Sequence, residues 1–325
     1  MKKKENSHWF KKTKTFLSRE DFYIRLLLIP LVLLAVCTIF VLLNLRVRLL
    51  ANEQQLSPLF LSYTMHEYPT LGTFSSPYIS AQSAAIYEPD SAVFLYTKNS
   101  SLHFSLASTT KLMTALVALD YFKLNSVLTV QRDSVEGTVL NLYSGEKFTF
   151  SDLLYAMLLN SANDAAYAIA DNYPGGTNAF VSAMNTKAHQ LHLLNTHFKD
   201  PAGLEDDGDF TTVTELARLA GTALQSPVIA QVIDTKTKLI STTDGLISYP
   251  LENLNQLLGL DGVIGMKTGT TEGAGQVLIT AKKENNHVFI IVVMESTDRY
   301  ADTWALLQLI DSKSQFIDPL ALLKQ

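Results

Sequence analysis

Residues 105–122 read SLASTTKLMTALVALDYF. Small hydroxyl residues give way to an apolar run, and Lys111 stands at its edge, three residues after Ser108. Two readings fit. Ser105, Ser108 or Thr109 can cap the helix expected over about Ser108 to Phe122. Ser108 can also be a nucleophile with Lys111 as its base. At i and i+3 the two side chains share one helix face, about 5–6 Å apart at Cβ. The free N–H groups of a helix start favour negative charge on Ser108. Burial by Leu112, Met113 and Leu116 disfavours the Lys111 ammonium, and a neutral amine beside a hydroxyl can take its proton. The pair alone is a weak signal. Ser144-Gly145-Glu146-Lys147 repeats the spacing in a glycine-containing loop with no apolar helix behind it, and reads as no site.

Two further stretches weigh on the choice. Ser161-Ala162-Asn163 is a polar island in the apolar run AMLLNSANDAAYAIA. Alone it fits a break between helices, because Asn, Ser and Asp favour caps and turns. Lys267-Thr268-Gly269, followed by Thr270 and Thr271, lies in a β-type stretch. Alone it fits an edge strand guarded by a lysine. Together the order decides. Ser-x-x-Lys opens a helix, Ser-x-Asn lies 53 residues on at a helix break, and Lys-Thr-Gly lies 159 residues after Ser108 on a late strand. This set belongs to class A β-lactamases and penicillin-binding proteins.

The rest of the chain supplies an architecture. SAAIYE and AVFLYTK read as strands around a Pro89-Asp90 turn. Helices follow: TFSDLLYAMLLN capped by Thr149, NDAAYAIADNY, TNAFVSAMNTKAHQLHLL capped by Thr177, and TVTELARLAGTALQS with a Thr212–Glu215 capping box, ending before Pro227. TKLIST, VIGMKTGTT and a hairpin around Glu284-Asn285-Asn286 are strands, and DTWALLQLIDSKSQF is a closing helix. Strands from both ends of the domain enclose a helical middle. The expected fold is α+β, an antiparallel sheet flanked by helices with an inserted all-helical subdomain.

Ahead of this domain, residues 26–45 are uncharged and bracketed by Arg25 and Arg46. Twenty residues in a helix span about 30 Å, the thickness of a bilayer core. Eight Lys/Arg precede the span, so the basic tail 1–25 is expected inside and the rest outside. Leu49 stands where a cleavage site wants a small residue, so a retained single-pass anchor is favoured over a cleaved signal peptide. Val36 before Cys37 argues against a lipid-modified cysteine. Residues 46–82 read as a linker, 83–318 as the catalytic domain and 319–325 as a tail.

Composition excludes several function classes. The chain has 325 residues and a net charge of −5, but residues beyond 25 carry 18 basic and 28 acidic side chains. So acidic a body is a poor nucleic-acid binder. Cys37 is the single cysteine, so the body has no disulfide, no cysteine metal ligand and no thiol nucleophile. His189 and His192 lack a third ligand and read as surface residues, so no metal site is expected.

On the three motifs, the chain resembles the serine-type D-Ala-D-Ala carboxypeptidases, the low-molecular-mass penicillin-binding proteins, over about Ser83 to Phe316. SAAIYEPDSAVFLYTKNS, NTHFKDPAGLEDD and LDGVIGMKTGTTEGAG extend the likeness. The resemblance implies a β-lactamase-like fold, no cofactor, a peptidoglycan stem peptide as substrate and β-lactams as covalent inhibitors. It implies that Ser108 attacks the carbonyl between two D-alanines, with Lys111 as base and Ser161 passing the proton to the leaving D-alanine. Asn163 would hold the substrate amide. Lys267 and Thr268 of the Lys-Thr-Gly269 motif would bind the terminal carboxylate, with Arg299 beside it. Backbone N–H groups of Ser108 and Thr270 would form the oxyanion hole.

Departures from the family matter too. Some members have histidine where Thr270 stands. Many carry a C-terminal β-rich domain and a membrane helix, whereas here IDPLALLKQ follows Phe316, so the anchor is expected at the N-terminus. A class A β-lactamase would need a Glu-x-x-Leu-Asn loop, and the loop here has Glu205, Asp206, Asp207 and Asp209 instead. A transpeptidase or endopeptidase shares the motifs. A non-catalytic β-lactam sensor would need a signalling partner for its short inner tail.

Overall fold

The computed structural model describes residues 34–46 and 67–317. The chain divides into two units, Met1–Thr64 and Met65–Gln325. In the first, residues 34–46 are helical and Cys37 is exposed. Among the described residues no helix is long and apolar enough to cross a membrane. Residues 26–33 of the expected span lie outside them, as do the tails 1–25 and 319–325.

The second unit is organised by the strand β11 (His287–Ser296). Its run FIIVVM is apolar without alternation, which marks a strand covered on both faces. Successive side chains point to opposite faces. Phe289, Ile291 and Val293 meet Leu306, Leu307 and Ile310 of the helix Arg299–Lys313. Ile290, Val292 and Met294 join the large core of the helical region. The sheet is antiparallel, in the order β3 (Val93–Lys98), β2 (Ser83–Glu88), β11, β10 (Gly275–Glu284), β8 (Val263–Gly265). The short β9 (Thr268–Thr271) also pairs with β10. Strands from both ends of the unit thus enclose a helical insertion, as the α+β reading expects.

The helical region positions the motifs. Its helices are Lys111–Tyr121, Phe150–Leu159, Asn163–Asp171, Gly176–Gln190 and Val213–Leu224. Thr149 caps its helix by accepting from Asp152 N–H. Thr177 is not a cap. Its helix starts at Gly176, the left-handed Gly175 two residues before Thr177 is the N-cap, and Thr177 Oγ1 donates to Asp171. The capping box at Thr212 is half formed, because the Glu215 carboxylate turns to Asn195 and Thr196 instead.

Several short elements escaped the pattern reading. Residues 68–71 of the presumed 46–82 linker form a strand, β1, antiparallel to Ser314–Ile317. Four residues are too few to show a period. The strand Thr237–Ser241 is the one read in TKLIST, but its hairpin partner Ser248–Glu252 is mostly exposed and gives no apolar alternation. The helix Pro227–Ile233, capped by Ser226, was hidden behind the Pro227 stop signal.

Asp302 fastens the final helix to the rest. Its buried carboxylate accepts from Ser80 N–H, Ser80 Oγ, Ala81 N–H and Ser296 Oγ. Burial pushes its pKa up, but these hydrogen bonds outweigh it and hold the carboxyl below its usual value. A depressed carboxyl pKa stabilises the fold above the unfolded value, near pH 4, and that stability is lost as pH falls through the folded value. Asp302→Ala is expected to cost about 2–3 kcal/mol in urea denaturation at pH 7. The gap from wild type should narrow below about pH 4.

Candidate active site

Ser108 lies on a 3-10 turn, Ala107–Thr110, and Lys111 begins the α-helix after it. Neither helix start has a side-chain cap, and Thr109 Oγ1 donates back to Leu106 O, so the hydroxyl cluster does not serve as a cap. Ser108 is half-buried and Lys111 fully buried. Lys111 Nζ is 2.9 Å from Ser108 Oγ, 2.7 Å from Asn163 Oδ1 and 2.7 Å from Ala202 O. The Asn163 amide is oriented by its Nδ2, which donates to Glu136 O at 2.8 Å. Its Oδ1 therefore faces the lysine.

The charge state of Lys111 follows from its surroundings. Burial lowers its pKa to about 7, against the opposing pull of Asp200 and Asp164. Neither carboxylate touches it. Asp200 is taken up by the N–H groups of Ala202, Gly203, Leu204 and Glu205, and Asp164 by those of Leu140, Leu142 and Ala165. A neutral amine has two hydrogens and one lone pair. The carbonyl of Ala202 and Oδ1 of Asn163 can only accept, so they take the two hydrogens. The lone pair is left for the Ser108 hydroxyl.

The second lysine is placed in the same way. Lys267 is buried, and its Nζ donates to Ser161 Oγ at 2.8 Å and Thr268 O at 2.9 Å. Burial, then the charges of Lys111 and Arg299, hold its pKa well below the usual lysine value. At the rim, Arg299 Nη1 donates to Gly269 O at 3.0 Å and Thr270 Oγ1 at 2.8 Å. Thr270 is exposed, while Thr268 and Gly269 are buried. Ser108, Lys111 and Asn163 thus form one hydrogen-bonded group, Ser161 and Lys267 a second, and Arg299, Gly269 and Thr270 a third.

Backbone geometry sets these groups. Each motif holds or follows a non-glycine residue with positive φ: Ala107 at 46°, Ser161 at 58° and Met266 at 115°. Such conformations cost on the order of 1–3 kcal/mol each and persist where packing over-determines them. Gly269 packs on the nucleophile's turn, where a Cβ would lie 3.1 Å from Ala107 Cβ and 3.2 Å from Ser108 N. Gly203 has φ +76°, and a Cβ there would lie 1.9 Å from Ala107 O. Ala202, Gly203, Asp200 and Glu136 were not legible as site residues, since they contribute backbone or act from behind. The polar loop HFKDPAGLEDDGDF gave their neighbourhood but not their contacts.

Lysine titration checks this electrostatic picture. In protein labelled with ¹³C-lysine, with assignment by Lys111→Met, the Lys111 ¹³Cε resonance is expected to titrate with a midpoint about 7. A midpoint near the ordinary lysine value of about 10.4 would contradict it.

Comparison with known proteins agrees with the geometry. Residues 71–298 match the family described as D-alanyl-D-alanine carboxypeptidase. A D-alanyl-D-alanine endopeptidase of Pseudomonas aeruginosa is 32% identical over 228 residues, 68% of this chain and 73% of that protein. A D-alanyl-D-alanine carboxypeptidase of Streptomyces sp. strain K15 is 33% identical over 242 residues, 69% of this chain and 83% of that protein. The crystal structure of the Streptomyces K15 DD-transpeptidase superposes with a TM-score of 0.68 at 32% identity, covering 73% of this chain and 98% of that one.

Proposed function

We propose, from the premise that the chain belongs to the D-alanyl-D-alanine carboxypeptidase family, that it removes the terminal D-alanine of peptidoglycan stem peptides through an acyl-enzyme on Ser108. The observation that carries the mechanism is that Lys111 Nζ lies 2.9 Å from Ser108 Oγ while its other two contacts, Asn163 Oδ1 and Ala202 O, can only accept. Lys111 takes the hydroxyl proton as Oγ attacks the carbonyl carbon between the two D-alanines. The N–H groups of Ser108 and Thr270 hold the oxyanion. As the tetrahedral adduct collapses, the C–N bond breaks and the amine of D-alanine leaves with a proton relayed through Ser161. Asn163 holds the substrate amide, and Lys267, Thr268 and Arg299 meet the terminal carboxylate. Water then hydrolyses the ester and restores Ser108.

The same attack opens a β-lactam ring, whose leaving nitrogen stays tethered. Among the described residues, no carboxylate hydrogen-bonds Ser108 or Lys111. That favours a long-lived penicillin adduct over rapid turnover. A second reading, cleavage of D-Ala-containing cross-links, is favoured by the relative named an endopeptidase. The uncharged span 26–45 and its basic flank support an inner tail, a membrane anchor and a catalytic domain outside the cell membrane.

The full chain in detergent is expected to release D-alanine from a pentapeptide ending in D-Ala-D-Ala and to be labelled by a fluorescent penicillin. Ser108→Ala should lower both rates by at least about 10³-fold. Splitting of a cross-linked dimer into its two stem peptides, without D-alanine release from the pentapeptide, would favour the endopeptidase reading. Rapid penicillin turnover would overturn the peptidase reading.

A further inference from the structure

The loop between Asp200 and Phe210 carries a carboxylate that this mechanism does not use. Asp206 Oδ1 accepts from Ser105 Oγ at 2.7 Å and from Thr271 Oγ1 at 2.6 Å. Its Oδ2 accepts from Gly273 N–H at 3.0 Å. Thr271 Oγ1 accepts in turn from Ala274 N–H at 3.1 Å. Ser105 lies three residues before Ser108, and Thr271 directly follows Thr270. One carboxylate therefore joins the segment that carries the nucleophile to the end of β9. Only glycine allows this at position 273, where a Cβ would lie 2.8 Å from Asp206 Cγ. Burial pushes the Asp206 carboxyl up, but the hydrogen bonds from Thr271, Ser105 and Gly273 outweigh it and keep it below the usual carboxylate range. At neutral pH it is an anion that can accept from all three.

The consequence lies in the oxyanion hole. Its two proposed donors, the N–H groups of Ser108 and Thr270, sit on different elements, the 3-10 turn and β9. Contact between Gly269 and the turn limits how closely they approach. A contact of that kind cannot stop them from parting. Asp206 supplies the attractive tie across the same gap, and a donor displaced by about 1 Å can cost 10²-fold in rate. We infer that Asp206 is a positioning residue: by gripping Ser105 and Thr271 it fixes the separation of the Ser108 and Thr270 backbone donors. This rests on the acyl-transfer reading of Ser108.

The test uses the full chain in detergent, with kcat and KM for D-alanine release, the rate of penicillin acylation, and Tm. Asp206→Ala is expected to lower kcat and the acylation rate about 10- to 100-fold, with KM changed less than about threefold. Asp206→Asn keeps an oxygen for the two hydroxyls and should fall between. Gly273→Ala pushes on the same carboxyl and should match Asp206→Ala, and the double variant should be no slower than either single one. If Asp206→Ala does not fold, Thr271→Val removes one of the three donors and is expected to lower kcat about fivefold or more. Variants that change Tm while kcat and acylation stay within about twofold of wild type would overturn the inference alone. A wild type that neither releases D-alanine nor takes up penicillin would overturn the acyl-transfer reading and the inference with it.

Discussion

Two buried lysine amines, held by neutral oxygens and by no carboxylate among the described residues, are what the site depends on. A buried ammonium is costly unless it is paired with an anion. Lys111 is instead offered a backbone carbonyl, an amide oxygen and a hydroxyl, and Lys267 a hydroxyl and a carbonyl. Burial therefore acts on both without full compensation, and both pKa values fall. The nearest acids, Asp200 and Asp164, are occupied by backbone N–H groups and act on Lys111 only from a distance. An ion pair in their place would return Lys111 to its charged form and remove it as a base.

The fold makes this burial possible. Lys111 opens a helix that is buried over most of its length, and Lys267 sits between two short strands beside the doubly covered β10–β11 pair. Each amine is reached from another part of the chain: Asn163 and Ala202 for Lys111, Ser161 for Lys267. The site thus assembles where the helical insertion meets the sheet. Strained backbone at Ala107, Ser161 and Met266 turns each motif toward that seam.

Much of this was legible in the sequence, for identifiable reasons. The strand pair around Glu284-Asn285-Asn286 was legible as a hairpin, and the helical middle by its periods and the Thr149 cap. The motif residues were legible because order and spacing removed the ambiguity that Ser108-x-x-Lys111 has alone, as Ser144-x-x-Lys147 shows by being the same pattern without consequence. What was not legible was contributed by backbone or by very short elements. Ala202 O and Glu136 O have no sequence signature. The strand Tyr68–Leu71 is too short to show alternation, and its partner Ser314–Ile317 lies beyond the final helix. Thr177 looked like a cap because nothing in the sequence shows that Gly175 takes the left-handed turn two residues sooner.

The central claim is that Lys111 acts as a neutral base on Ser108. The pH dependence of penicillin acylation, followed by intact mass, tests it most directly. The second-order rate, which reports the free enzyme, is predicted to rise with pH through a midpoint about 7, following the Lys111 amine. A rate that stays flat between about pH 5.5 and 9, or rises only near the ordinary lysine value of about 10.4, would contradict it.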